Sequence, residues 1–176
     1  MSTISIKELS HPAGEVIKIA AGKTLDLKTQ GSVTMPAGSV IQVVQTYNPN
    51  SIAFASTSTS WVPSGFIATI TPKYIGSKIL VNWSNTMSQS DGNGQAAMYI
   101  YDGGWAAMAG SSNFHLGYRS LTAGGLVYGP HVFNGNVVTT DLDALSFQPY
   151  VKSNSNTFNF VHNQSSYALT LTEVAQ

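Results

Sequence analysis

The chain has 176 residues, of which 43% are hydrophobic, 10% aromatic and only 9% charged, and its eight basic and eight acidic residues give a net charge of zero. Soluble domains usually carry about 25% charged residues, yet the apolar content excludes a disordered chain. The sequence contains no cluster of Lys and Arg that could bind nucleic acid by counterion release. It also contains no cysteine, which excludes disulfides and thiolate metal sites.

Residues 1–36 differ from the rest of the chain. Seven of the charged residues fall before residue 29, and the apolar residues form short alternating patches separated by glycine. Strands of about three to five residues are not stable alone, so this segment must pack on something else. We therefore predict an extended N-terminal arm of short strands that attaches the protein to a larger particle. Its apolar anchors would be Ile4, Ile6, Val16, Ile17, Ile19, Leu25 and Leu27.

The opening residues MSTISIKELS place Lys7 and Glu8 where a signal peptide needs an apolar core. No apolar run approaches the roughly 18 residues of a membrane helix. We expect synthesis in the cytoplasm without an export signal, and no membrane partner.

After the boundary sequence MPAGSV at 35–40, strand-like segments alternate with turn signals. About nine strands are predicted, at Val40–Tyr47, Phe66–Thr71, Lys78–Met87, Ala96–Tyr101, Phe114–Tyr118, Leu126–Phe133, Ala144–Val151, Thr157–His162 and Tyr167–Val174. The breaks are rich in Gly, Pro, Asn and Ser, as in NPNS at 48–51 and NGN at 134–136. Residues 37–176 are therefore expected to form an all-β, antiparallel sandwich or jelly roll.

Alternation with a period of two separates a core face from an outer face. In the strand KILVNW, Ile79, Val81 and Trp83 point one way and Lys78, Leu80 and Asn82 the other. The same pattern places two further rows in the core, Leu145, Phe147 and Val151, and Tyr167, Leu169 and Leu171.

An enzymatic function has little support in the sequence, which contains no nucleophile elbow, phosphate-binding loop or His-Glu-x-x-His motif. The four histidines are scattered, and no two have the spacing of metal ligands. These are His11, His115, His131 and His162. We expect no catalytic residue, no cofactor and no metal site.

Asp141 and Asp143 are the one acidic pair to weigh. On an extended segment they would face the same way, an arrangement suited to Ca²⁺ or to acid–base cleavage of a polysaccharide. We favour an exposed loop edge, because no further acid lies nearby in the sequence. Similarly, SDGNGQ at 90–95 contains part of a calcium-loop pattern but is explained by a hairpin turn.

The sequence YIYDGGWAAM at 99–108 places Tyr99, Tyr101 and Trp105 around a glycine turn with Asp102. Aromatic and carboxylate side chains of this kind form sugar-binding surfaces. They also form subunit interfaces, in which Tyr and Trp are enriched, and an interface is our first interpretation.

Three stretches, HPAGEVIKIAAGKTLDL followed by PAGSVIQVVQT, TSTSWVPSGFIATITPKYIGSKILV, and SSYALTLTEVAQ, resemble small bacteriophage virion proteins of the tail-fibre and head-decoration (capsid cement) type. The resemblance covers most of the chain outside its middle. It implies a homotrimer in the virion, with a C-terminal sandwich around a threefold axis and an N-terminal segment anchored to capsid or tail proteins.

Two positions on such a particle are open. A capsid decoration protein needs no shaft, which suits the roughly 36 residues before the sandwich, and we favour it. A short tail fibre would instead present its loops to a receptor or glycan on the host surface. A secreted lectin or a polysaccharide depolymerase is a weaker alternative.

Overall fold

The computed structural model describes residues 21–22, 35–48, 54–89, 94–108, 114–116, 127–153, 158–161 and 167–176, and regular structure in them is β-strand. The first six strands are β1 (Val40–Asn48), β2 (Phe54–Ser56), β3 (Val62–Pro63), β4 (Ala68–Ile70), β5 (Lys78–Gln89) and β6 (Gly94–Tyr101). The remaining strands are β7 (Trp105–Ala107), β8 (Phe114–Leu116), β9 (Val127–Val138), β10 (Leu145–Ser153), β11 (Phe158–Val161) and β12 (Tyr167–Val174).

The strands pair, antiparallel throughout, into two sheets. In sheet I, β5 pairs with β9 along one edge and with β12 and β11 along the other, and these two pair in turn with β1 and β2. In sheet II, β10 lies between β6 on one side and β3 and β4 on the other, and β7 and β8 continue beyond β6. The predicted all-β, antiparallel fold is confirmed.

The strand order is that of a jelly roll. Four pairs of consecutive strands (β1 with β2, β3 with β4, β7 with β8, β11 with β12) each occupy one position in a sheet, which leaves eight positions along the chain. Sheet I then has the order 1-8-3-6 and sheet II the order 2-7-4-5. The first position pairs with the eighth, the second with the seventh, and so on inward. This is one long antiparallel ribbon wrapped into two facing sheets.

The two sheets share one hydrophobic core. Sheet I contributes Ile79, Val81 and Leu169, and sheet II contributes Phe147 and Val151, each of them buried. Complete burial of such a side chain stabilises the fold by about 1.5–3 kcal/mol. The core rows predicted by alternation in the three strands β5, β10 and β12 are confirmed.

The two predicted strands joined by TPKYIGS lie in different sheets, β4 in sheet II and β5 in sheet I. Two details differ from the expectation. The predicted break at NGN (134–136) is wrong, since β9 passes through it in register with β5. Strands β2, β3 and β7 were not predicted, because two or three residues are too few to show an alternation.

Glycine within β9 has a packing role. Gly135 lies opposite Val81, on the core side of sheet I. A Cβ placed on it would come within 2.8 Å of the Phe133 ring and 3.2 Å of the Met108 side chain, both of which are buried. The missing side chain at 135 therefore provides the space that the Phe133 ring fills.

A buried carboxylate joins four segments at one end of the sandwich. Glu173 of β12 is 0% exposed, and its oxygens accept hydrogen bonds from the Gln42 side chain (2.6 Å), the Ser77 hydroxyl (2.7 Å) and the backbone N–H groups of Lys73 (2.9 Å) and Tyr74 (3.2 Å). Ser77 in turn contacts Thr139, which follows β9 (Oγ to Oγ1, 3.2 Å). A register shift in β1 just before Gln42 accompanies this geometry, as expected of a β-bulge that redirects a side chain.

These donors decide the ionisation of Glu173. Burial by itself raises the pKa of the carboxyl, but the hydrogen bonds from Ser77, Gln42, Lys73 and Tyr74 outweigh burial and leave the pKa below its ordinary value of 4.5. The side chain is therefore held as a carboxylate by neutral donors.

The chain divides into two units, Met1–Thr34 and Met35–Gln176, and the second holds all the strands given above. The predicted arm of residues 1–36, with its seven apolar anchors, lies almost wholly outside the described residues. Within the described part of the chain, no helix is long and apolar enough to span a membrane.

Replacing Gly135 by Ala should lower the free energy of unfolding by about 1–3 kcal/mol, because the new methyl group overlaps the Phe133 ring inside a packed core. Urea denaturation measures this. Gly104→Ala is the matched control, since its added Cβ meets no atom within 4 Å. Equal stability of the two variants would contradict the packing role.

Replacing Glu173 by Gln should lower the free energy of unfolding at neutral pH by about 2–4 kcal/mol, because an amide offers one acceptor oxygen and turns its own N–H groups toward donors. In the wild type, the folded-state pKa lies below the unfolded value of 4.5. The stabilisation is therefore complete above that value and is lost as pH falls through the folded pKa.

Denaturation at a series of pH values tests this linkage. The difference in stability between wild type and Glu173→Gln should shrink as the solution is acidified below about pH 4.5. A difference that stays constant from neutral to acid pH would show that the carboxylate charge is not what the donors stabilise.

Candidate functional site

The outer face of sheet II carries a cluster of five aromatic side chains, which we call the aromatic cluster. Its members are Trp61, Tyr99, Tyr101, Trp105 and Tyr150. They come from the residue just before β3, from β6, from β7 and from β10.

Alternation along the strands brings these side chains to one face. In β10, Phe147 and Val151 enter the core, so Tyr150 and Lys152 point outward. In β6, Met98 enters the core and Tyr99 and Tyr101 point outward. The β6–β7 hairpin then places Trp105 directly opposite Tyr101, which requires the tight turn at Gly103 (φ 71°).

The rings contact one another in a continuous series. Tyr99 and Tyr150 are stacked with centroids 4.0 Å apart, and Trp105 lies 5.9 Å from Tyr150 and 5.4 Å from Tyr101. Trp61 extends the series at 6.3 Å from Tyr99. Aromatic pairs at these separations add about 0.5–1.5 kcal/mol each beyond the area they bury, so the rings stabilise one another's positions.

Charge around the cluster is sparse. The Lys152 ammonium lies 4.9 Å from the centre of the Trp61 ring, a cation–π contact. Burial, and after it the neighbouring Tyr99, raises the pKa of the Tyr150 hydroxyl above 10.0. At neutral pH this hydroxyl is therefore uncharged and able both to donate and to accept hydrogen bonds.

The cluster is suited to binding. Tyr101 and Trp105 are 42% and 36% exposed, so large ring surfaces face solvent on a support that is already packed. Exposed rings of this kind stack on the C–H faces of sugars or on apolar side chains of another protein, while hydroxyl groups orient the ligand.

The structure brings together Tyr99, Tyr101 and Trp105 of the surface predicted from the sequence. Asp102 lies in the exposed turn between β6 and β7, beside the rings. Trp61 and Tyr150 were missed. Only the pairing of β10 with β3 and β6 shows which rings Tyr150 meets.

The acidic pair lies in a bend and not on an extended segment, in agreement with the exposed loop edge that we favoured from the sequence. Residues 140–143 form a bend in which the Asp141 carboxylate accepts a hydrogen bond from the backbone N–H of Asp143 at 2.9 Å. Asp141 thus stabilises its own turn, as aspartates in turns commonly do. In the described part of the chain, no three His, Asp or Glu side chains come together as metal ligands would.

The other residues singled out in the sequence cannot be placed in a site. His11, His162 and the seven arm anchors are outside the described residues, as is most of SDGNGQ at 90–95. His115 and His131 lie in β8 and β9, respectively, of which only the backbone is described at these positions.

No protein-family model and no curated protein matches the chain. Among solved structures, it is similar to VP2 of infectious bursal disease virus in a subviral particle, with a TM-score of 0.50 and 14% identity over 85% of this chain. That alignment covers 36% of VP2, so the chain spans about a third of the length of that protein.

Structures of the Gx strain of that virus and of its T13 particle also match, at TM-scores of 0.44 and 0.43 and 14% identity. They cover 85% and 88% of this chain and 37% and 40% of their own. At this identity the likeness to VP2 concerns the fold alone. None of these three structures is a bacteriophage tail-fibre or decoration protein.

Proposed function

We propose that the protein is a non-enzymatic structural protein of a virion. The observation that carries the proposal is the jelly-roll strand order, a fold typical of viral shell proteins. The similarity to VP2, whose solved structure is of a subviral particle, supports it. The scarcity of charge agrees with it too, because surfaces buried between subunits are depleted of charged residues.

Within the virion, the protein is a homotrimer that decorates and stabilises the capsid of a bacteriophage. Residues 1–36 attach it to the shell through Ile4, Ile6, Val16, Ile17, Ile19, Leu25 and Leu27. A protein that binds the assembled shell and not its free subunits adds its binding free energy to the stability of the shell. The sequence resemblance to head-decoration proteins supports this position.

The copy number of the chain in purified virions tests the position. Quantitative mass spectrometry against the major capsid protein should give hundreds of copies. A count between about three and about eighteen, as expected of a few trimeric fibres, would place the protein on the tail instead.

Attachment is tested by removing residues 1–36. Because Met35–Gln176 holds the whole jelly roll, the truncated protein should fold and keep its oligomeric state yet no longer bind to particles that lack the protein. Normal occupancy by the truncated protein would show that the arm is not the attachment segment.

The aromatic cluster favours a second candidate, a short tail fibre whose sandwich binds a glycan or protein receptor on the host surface. Exposed rings that pack against one another, with the neutral hydroxyl of Tyr150 among them, fit a saccharide.

Under this second function, Trp105→Ala should lower host-cell adsorption of the virions at least about tenfold while the protein stays on the particle, since the variant removes a stacking surface and leaves the core intact. Ile75→Ala, which removes an exposed apolar side chain elsewhere, is the control. Unchanged adsorption by Trp105→Ala would exclude the cluster as a receptor site.

A further inference from the structure

We infer that the outer face of sheet I is the surface through which copies of this chain associate. The inference rests on the proposed homotrimer and adds to it the residues that form the contact. We call this surface the association face. It consists of the outward side chains of β1, β12, β5 and β9, which the register of the sheet aligns in rows.

The association face carries exposed apolar side chains at half of its aligned positions, and nearly all of the others are neutral polar residues. Six of its large apolar side chains are between 42% and 57% exposed, namely Val40, Val43, Tyr47, Leu80, Val132 and Val138. They lie on both sides of a central row, so the apolar area covers both halves of the face. Monomeric proteins rarely leave a contiguous apolar surface of more than a few hundred Å² in water.

The central row is polar, but its members already satisfy one another. Gln45 donates to the Thr170 hydroxyl at 2.9 Å, and Asn82 donates to the Asn134 side chain at 2.5 Å. Because these four residues stand opposite one another on β1, β12, β5 and β9, the two bonds run across the face. A partner could cover this row without leaving those bonded groups unpaired, which is the main cost of burying polar side chains.

Charge on the face also permits a second copy. Lys78, beside Val138, is the single charged residue among the rows from Val40 to Tyr47. Copies that turned a strongly charged face toward a common threefold axis would repel one another, whereas these faces meet with little charge to desolvate. An anionic membrane or nucleic acid would need a basic cluster, which this face lacks.

The size of the face suits an interface between proteins. Four strands about 4.8 Å apart and about eight residues long at about 3.4 Å each span roughly 500 Å². A standard interface buries about 800 Å² per partner, so the face supplies more than half of that area before any loop contributes. The aromatic cluster lies on the other sheet and stays open when the association face is covered.

Analytical ultracentrifugation of the purified full-length chain tests the inference. Leu80→Lys and Val43→Lys place a charge in the centre of the apolar rows and should weaken self-association at least about 100-fold, because that charge would be buried unpaired. Leu142→Lys is the matched control, since Leu142 is also an exposed leucine, at 48%, but lies in the bend after β9. Its association should equal that of wild type.

Circular dichroism melting establishes that each variant is folded. If a lysine variant fails to fold, Val43→Thr gives the same test with an isosteric side chain suited to a strand, and it should still weaken association measurably.

The outcomes separate the two proposals. A monomeric wild type would overturn the homotrimer and this inference with it. An oligomeric wild type whose folded face variants associate as tightly as Leu142→Lys would overturn the association face and leave the homotrimer standing.

Discussion

The end of the sandwich at which four segments meet depends on one buried negative charge, that of Glu173. The carboxylate of Glu173 has no exposed surface, and it is bonded to side-chain and backbone donors from β1, from the connection between β4 and β5, and from the residue before β5. An isolated carboxylate in such a place would be costly, so each donor is necessary. The carboxylate in turn holds the Lys73–Ser77 connection, where the chain crosses from one sheet to the other, together with the bonds that Thr139 makes to Tyr74, Gly76 and Ser77. The charge and the crossing therefore stabilise each other.

The two outer surfaces of the jelly roll are chemically different although the same alternation generates both. Sheet I presents aliphatic side chains with a hydrogen-bonded polar row, and sheet II presents contacting aromatic rings with one lysine. Aliphatic faces bind flat surfaces without directional preference, whereas ring faces select ligands by stacking geometry. A protein with two such faces can assemble through one and recognise a ligand through the other.

The sequence predicts structure well where the determining pattern lies within a single strand. Strands of eight or more residues, such as β5, β10 and β12, alternate clearly enough to reveal their core side and most of their extent. The short strands β2, β3 and β7 do not. The asparagines around Gly135 have the composition of a turn, although the Phe133 ring requires the glycine within a strand. Contacts between residues that are far apart in the sequence could not be predicted either. Glu173 shares the core side of β12 with Leu171, but its burial is possible only because donors come from residues about 100 to 130 positions away. The aromatic cluster was half predicted for the same reason, since Tyr99 and Trp105 are neighbours in the chain and Trp61 and Tyr150 are not.

The pairing of the first strand with the last affects how the protein is made. β12 lies between β1 and β5 in sheet I, so neither strand has its full set of partners until residues 167–174 have left the ribosome. The ribbon therefore closes late, by contacts between residues that are far apart in the sequence. Topologies with such contacts fold slowly. During synthesis the edges of β1 and β5 stay open beside those of other nascent chains on the same messenger, which makes this interval the one most exposed to aggregation.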